Sequence, residues 1–354
     1  STGCLEMDVH NSAPSTWLLP AAMNHVDYVG FATLTAIALV AMVRSACCRR
    51  RAAKWTRAEV APWYRETANV YLTTSYRRTD LSCVELVLSA FRPHNEVVNV
   101  WTHLIGSVYM IYQSFHVAAC AAREPEGSHF QRELYYLLFF VICSSVMFTL
   151  SWVFHLFAPY GERTNLRLNR LDYCGIVTMI VGSFYPMVRV VFPEHPVSAD
   201  NTALTQSANA VLRLRYLGGI TALGFPLTVC AMQRFFYENW FNVPRAIFFL
   251  CFGGLGAVPF FHGLIRDGAW MEYHTSILTM GSLYIVGTVL YAMRIPERWV
   301  KRGTLDIVGA SHQLFHLCIC AAACVHWNGC RNGLERIHHR PLTGLLGPEL
   351  LAIP

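Results

Sequence analysis

Residues 311–325 read Ser-His-Gln-Leu-Phe-His-Leu-Cys-Ile-Cys-Ala-Ala-Ala-Cys-Val, an almost unbroken apolar run with two histidines near its start. The run is continuous rather than alternating, so it predicts a helix. His312 and His316 are four residues apart and therefore share one face of it. Imidazoles at membrane depth are costly unless something uses them. By this spacing alone, a metal-binding pair and two hydrogen-bonded histidines both stay open.

Outward from this run, the 354-residue chain is 54% hydrophobic and only 14% charged, with mean hydropathy +0.34. A soluble domain carries about 25% charged residues. Here the charges gather between apolar runs long enough to cross a bilayer, which takes about 20 residues. The sequence predicts seven spans, at about Val98–Ala121, Leu134–Phe157, Leu171–Phe192, Val211–Met232, Ala246–Leu264, Ser276–Met293 and Ile307–Val325. Continuous runs exclude a β-barrel. The net charge of +6 needs no nucleic-acid partner, because arginine-rich cytosolic loops give the same sign. Most of the 13 cysteines fall inside apolar runs and read as small hydrophobes. Gly and Pro within the spans, such as Pro186, Pro226, Gly253, Gly254 and Pro259, permit close helix approach or local kinks.

Before the first of these spans, the chain divides in two. Residues 1–54 contain a further apolar run, Val26–Val43, followed by a basic cluster at Arg49, Arg50 and Arg51. It reads as an additional helix with its positive end in the cytosol, a cleaved targeting segment being the competing view. Cys47 and Cys48 beside that cluster are palmitoylation candidates. Residues 55–97 mix aromatics with arginines and read as a cytosolic, interfacial amphipathic segment or as an ordinary docking segment. Residues 98–328 form the seven-span core and 329–354 a C-terminal tail.

Orientation follows from the loops. With the N-terminal side of the core in the cytosol, the cytosolic connections carry Arg163, Arg167, Arg170, Arg234, Arg245, Arg294, Arg298, Lys301 and Arg302. The opposite loops carry Arg123, Arg132 and Arg266, with Arg213 and Arg215 at a span's edge. The bias sets the core's N-terminal side inside and its C-terminus outside. The expected fold class is all-α, a polytopic membrane bundle of seven helices with inverted topology.

That orientation brings separated residues to one depth. His155 and, one turn earlier, Ser151 lie at the cytosolic end of the second span. Asp172 opens the third span, and His312 and His316 open the seventh. Three imidazoles and an open position form the catalytic zinc pattern. With no thiolate and one carboxylate nearby, Zn²⁺ fits better than Cu, Fe or Ni. Zinc lowers the pKa of bound water towards 7. Asp172 is the candidate to orient or deprotonate that water. Ser151 either hydrogen-bonds the water or a substrate carbonyl, or bonds back to its own helix. Gln313 stands where HExxH metalloproteases carry glutamate, so a protease mechanism from this helix is not supported. Glu96 and Asn99 read as helix caps or bridges. His116, Arg189 and His262 read as snorkelling side chains, and Arg266, Asp267, Glu272 and His274 as solvated.

The runs FRPHNEVVNVWTHLIG (91–106), SWVFHLF (151–157), NRLDYCGI (169–176), LYAMRIPERW (290–299) and SHQLFHLCICAAACVHWNG (311–329) resemble the progestin and adipoQ receptor family, most closely its adiponectin-receptor branch. The resemblance covers about residues 69–330. It implies a seven-helix fold of inverted topology with a lipid-accessible cavity. It also implies zinc on His155, His312 and His316, with Asp172 contacting the zinc-bound water and Ser151 beside them. It further implies hydrolysis of a lipid amide of the ceramide type, releasing a fatty acid, in a plasma-membrane or endomembrane protein with an extracellular ligand. A receptor in which zinc is structural, signalling through cytosolic partners, remains the alternative. A bis-histidine haem protein and a transporter are further classes.

Overall fold

The structure is a computed structural model that describes residues 55–67, 69–194, 203–267, 272–339 and 342. The run at 26–43, Cys47 and Cys48, and most of the C-terminal tail lie outside the described residues. Two short helices, α1 (Pro62–Thr67) and α2 (Cys83–Ser89), precede the long ones: α3 (Val97–Arg123), α4 (His129–Phe157), α5 (Glu162–Val191) and α6 (Ala203–Ala231). Then come α7 (Asn242–Gly254), α8 (Ala257–Asp267), α9 (Glu272–Met293) and α10 (Ser311–His338). The chain is a polytopic helical membrane bundle.

Among the described residues, six crossings are long and apolar enough to span a membrane: α3, α4, α5, α6, α9, and the stretch Asn239–Arg266 that contains α7 and α8. That fifth crossing is broken at Leu255–Gly256, where the sequence carries Gly253, Gly254 and Gly256 close to Pro259. The predicted seventh span differs from its expectation. It starts at Ser311 rather than Ile307 and runs 28 residues to His338. That length, about 42 Å at 1.5 Å per residue, suffices to cross, but its most apolar 18-residue stretch is less apolar than those of the other six. His312, Gln313, His316, His326, Asn328 and Arg331 interrupt its hydrophobicity, and it tolerates them because it packs against α3, α4, α5 and α9 together.

Around it α3, α4 and α5 pack side by side, α6 against α5, and α9 against α7. Small residues set the closest approaches. A Cβ on Gly106 would sit 3.1 Å from the Phe148 ring, and one on Gly182 would sit 2.6 Å from Cys143 Cβ. The core runs through Leu134, Leu137, Phe140 and Phe148 of α4, Phe184 and Val188 of α5, and Trp327 and Cys330 of α10. Outward faces keep Phe115, Leu214, Phe225 and Ile285 exposed, the apolar belt expected of a lipid-facing surface.

Two expectations of surface polarity are corrected. Arg189 does not snorkel. It is buried and bonds the buried Glu133 through both guanidinium nitrogens, with Glu194 as a second partner at 3.0 Å. A desolvated guanidinium is stable there because both carboxylates reach it. His274 is buried rather than solvated, whereas Arg266 stays exposed as expected, donating to Asn209 Oδ1 at 2.6 Å and lying over the Phe192 ring.

Residues 55–96 dock on one end of the bundle. Val60, Tyr64, Leu72 and Tyr76 form a small core with Ala158 after α4 and Ala310 before α10. Arg77 is buried and donates to the carbonyls of His155 at 2.6 Å and Leu156 at 2.7 Å. These are among the last carbonyls of α4, which lack partners within the helix, so a cation is stabilising there.

Candidate metal centre

The start of α10 is fixed before its histidines are reached. Gly309 adopts φ +94°, a left-handed turn open to glycine, and Ala310 forms the N-cap. Gln313 then satisfies the turn on both sides. Its Oε1 accepts from Gly309 N at 2.7 Å, and its Nε2 donates to Ile307 O at 2.9 Å and to Asn95 O at 3.1 Å. Glu297, also buried, accepts from Ser311 N at 2.8 Å, from the Ser311 hydroxyl, and from Asn69 Nδ2 at 2.8 Å. The residue that removed the protease reading is thus the one that anchors the helix.

One turn in, the Nε2 atoms of His312 and His316 face each other at 3.0 Å. His155 enters from α4, and one ligand atom from each of the three histidines lies within 4.8 Å of the others. Nitrogens around one tetrahedral zinc ion lie about 3.3 Å apart, given Zn–N of about 2.0–2.1 Å. The separations are therefore of the scale a single ion closes.

The donor chemistry fits as well. His155 Nδ1 donates to Glu96 Oε2 at 2.8 Å, and Asn99 Nδ2 donates to the same oxygen at 2.6 Å. With Nδ1 carrying the proton, Nε2 presents a lone pair; it is buried and has no protein partner. A ligating imidazole oriented by a carboxylate is the usual support of a metal-binding histidine. His316 is supported similarly, its Nδ1 lying 3.5 Å from the Thr102 hydroxyl, which itself donates to Val98 O at 2.8 Å. The His103 ring stacks on His316 at 3.6 Å between centroids. The group could hold a metal ion.

Beside the cluster opens a cavity of about 130 Å³. Asp172 lines it together with His155, His312, Arg245 and Tyr291. Asp172 is buried, and Ser151, buried one turn before His155, is a hydrogen-bonding neighbour of its carboxyl. The five residues expected to share one depth do gather at one end of the bundle, with the histidines as the metal-type group and Asp172 beside it. Sequence reasoning placed Glu96 as a cap or bridge, and it is the bridge. α3 receives no side-chain cap from it. Glu96, Asn99 and His103, three and four residues apart, form a polar stripe at the head of an apolar helix, and that stripe was the available signal.

The chain matches the haemolysin-III related family over residues 91–327. It is 33% identical over 245 residues to the adiponectin receptor protein of Drosophila melanogaster, covering 68% of this chain and 51% of that one. To heptahelical transmembrane protein 1 of Arabidopsis thaliana it is 31% identical over 261 residues, covering 72% and 74%. To progestin and adipoQ receptor-like protein 1 of Caenorhabditis elegans it is 32% identical over 270 residues, covering 74% and 57%. It thus spans about half the length of its fly relative. The chain belongs to the haemolysin-III related family, in the adiponectin-receptor-like branch of the progestin and adipoQ receptors.

Proposed function

We propose that His155, His312 and His316 hold one zinc ion near the cytosolic face and that the chain hydrolyses a lipid amide of the ceramide type there. The observation that carries this reading is the convergence of three imidazole nitrogens with His155 Nε2 buried and unpartnered. An all-imidazole set without thiolate favours zinc among the divalent metals. Zinc in such a site polarises a carbonyl and lowers the pKa of water towards 7. Asp172 lines the adjoining cavity, where its carboxylate can accept a proton from water and return it to the leaving nitrogen. Ser151 is a hydrogen-bonding neighbour of that carboxylate, and Glu96 keeps the His155 ring in register.

A second reading is favoured by the docking of residues 55–96 on the same end. Arg77 bonds the His155 carbonyl, so this segment touches a residue of the three-histidine group, which supports a role for it in relaying the site's state. In that reading zinc is structural, an extracellular ligand acts on the bundle, and the chain signals without hydrolysis.

Elemental analysis of purified protein separates these. About one zinc per chain is expected in the wild type and a large loss in His316→Ala; equal content in both rejects the site. If zinc is present but acyl-amide turnover does not exceed that of Asp172→Ala, hydrolysis is rejected and the receptor reading stands.

A further inference from the structure

Arg294 follows the last turn of α9 with φ +55°. Ile295 N donates to Leu290 O at 3.0 Å and Arg294 N to Tyr291 O at 3.3 Å, the bonding of a Schellman cap. Its left-handed position is normally glycine, because a Cβ is strained there. A strained non-glycine residue next to a candidate site points to a use for its side chain.

Arg294 lines the cavity beside the histidines. Among the described residues no carboxylate, hydroxyl or carbonyl bonds its guanidinium. The contrast with Arg245 on the same wall is informative. Arg245 donates to Phe236 O, to Asn242 Oδ1 at 3.0 Å and to Tyr291 Oη at 2.9 Å, and lies over the Tyr173 ring. The Glu96 carboxylate is already engaged by His155 and Asn99. Five donors in a fixed fork, half-enclosed and not hydrogen-bonded by the Glu96 or Asp172 carboxylates that line the same cavity, match an oxyanion brought from outside. The cavity, about 130 Å³, has room for such a group.

We propose that Arg294 is the anion-recognising residue of this cavity, taking a carboxylate or phosphate group presented next to the three-histidine cluster. If the hydrolase reading holds, on which the identity of the anion rests, the natural candidate is the carboxylate released from the cleaved amide. Recognition of the anion itself does not require that chemistry.

The test uses the full chain in detergent, titrated calorimetrically with hexanoate, hexanol and inorganic phosphate, with zinc content measured on the same samples. Wild type binds hexanoate or phosphate in preference to hexanol. Arg294→Gln and Arg294→Gly bind the preferred anion about tenfold more weakly or worse, the scale of a lost charge-assisted hydrogen bond, with hexanol binding and zinc content unchanged. Arg294→Gly also melts no lower than wild type, since glycine relieves the left-handed backbone. A response to hexanoate alone identifies a fatty-acid carboxylate, and one to phosphate alone a phosphate group; both uphold the site. Anion binding undiminished in both variants, or no preference for anions over hexanol in the wild type, overturns it. Absence of zinc with Arg294-dependent anion binding retained would reject the hydrolase and leave this site standing.

Discussion

Glu96 shows how a single carboxylate can decide what a histidine does. Accepting from His155 Nδ1 at 2.8 Å, it assigns the proton to one ring nitrogen and frees the other. Removing a partner of this kind costs about 10–100-fold in metal affinity. Glu96→Ala is therefore expected to lose zinc to a competing chelator about 10–100-fold more readily than wild type. Glu96→Gln, which keeps an acceptor but no charge, should lose less. Helical content by circular dichroism should be unchanged in both; chelator competition identical to wild type in Glu96→Ala would dismiss the tie. The gathering of His155, His312 and His316 was legible in the sequence because i, i+4 spacing and loop charge together set face and depth. The tie to Glu96 was not, because it joins residues 59 positions apart, and no local pattern specifies which distant polar group a helix will meet. Arg189 was misread for the same reason: its partner Glu133 is 56 residues away.

Among the helices, close approach is set by glycine at some positions and left unused at others. On α5 a Cβ at Gly182 would meet Cys143 Cβ at 2.6 Å, whereas on α6 a Cβ at Gly218 meets nothing within 4 Å. Gly182→Ala must part α4 from α5 and is expected to cost about 1–3 kcal/mol, the overpacking range. Gly218→Ala should be neutral or slightly stabilising, by up to about 1 kcal/mol, through helix propensity. Thermal unfolding of the two variants side by side checks this, and equal shifts would show that the α4–α5 contact is not tight. The sequence located six crossings to within a few residues at most ends, because hydrophobic length is a one-dimensional property. It missed the break at Leu255–Gly256 as a true interruption, since glycines near a proline are compatible with a kink or with two helices. It also began the seventh span too early, because Ile307 and Val308 are apolar yet belong to the turn that Gln313 holds.

Across the whole molecule, the charge bias assigns the end that carries the three histidines to the cytosol. Glu126, between α3 and α4, and Arg163, at the start of α5, are both exposed and on opposite ends. Glu126→Cys should label with a membrane-impermeant thiol reagent on intact cells, above the background of native cysteines. Arg163→Cys should label only after permeabilisation, and the reverse pattern would invert the bundle. The fold class and family were readable from composition and motif runs. The docking of residues 55–96 under the metal end was only half readable, since an aromatic and arginine-rich segment suits a lipid interface and a protein surface equally.

Because α10 falls short of the apolarity that the other six crossings reach and lies against four other long helices, its order of arrival matters. A helix that carries His312, Gln313, His316, His326 and Arg331 gains little from lipid alone. It gains from the groove that α3, α4, α5 and α9 offer once they are in place. Its membrane insertion is thus a late event in synthesis, dependent on the crossings made before it. Since His155 is laid down before His312 and His316, the three-histidine group is completed only once α10 has been made and packed. A truncation before Ser311 should leave the earlier crossings inserted and metal-free, so that capture of an ion marks the arrival of α10.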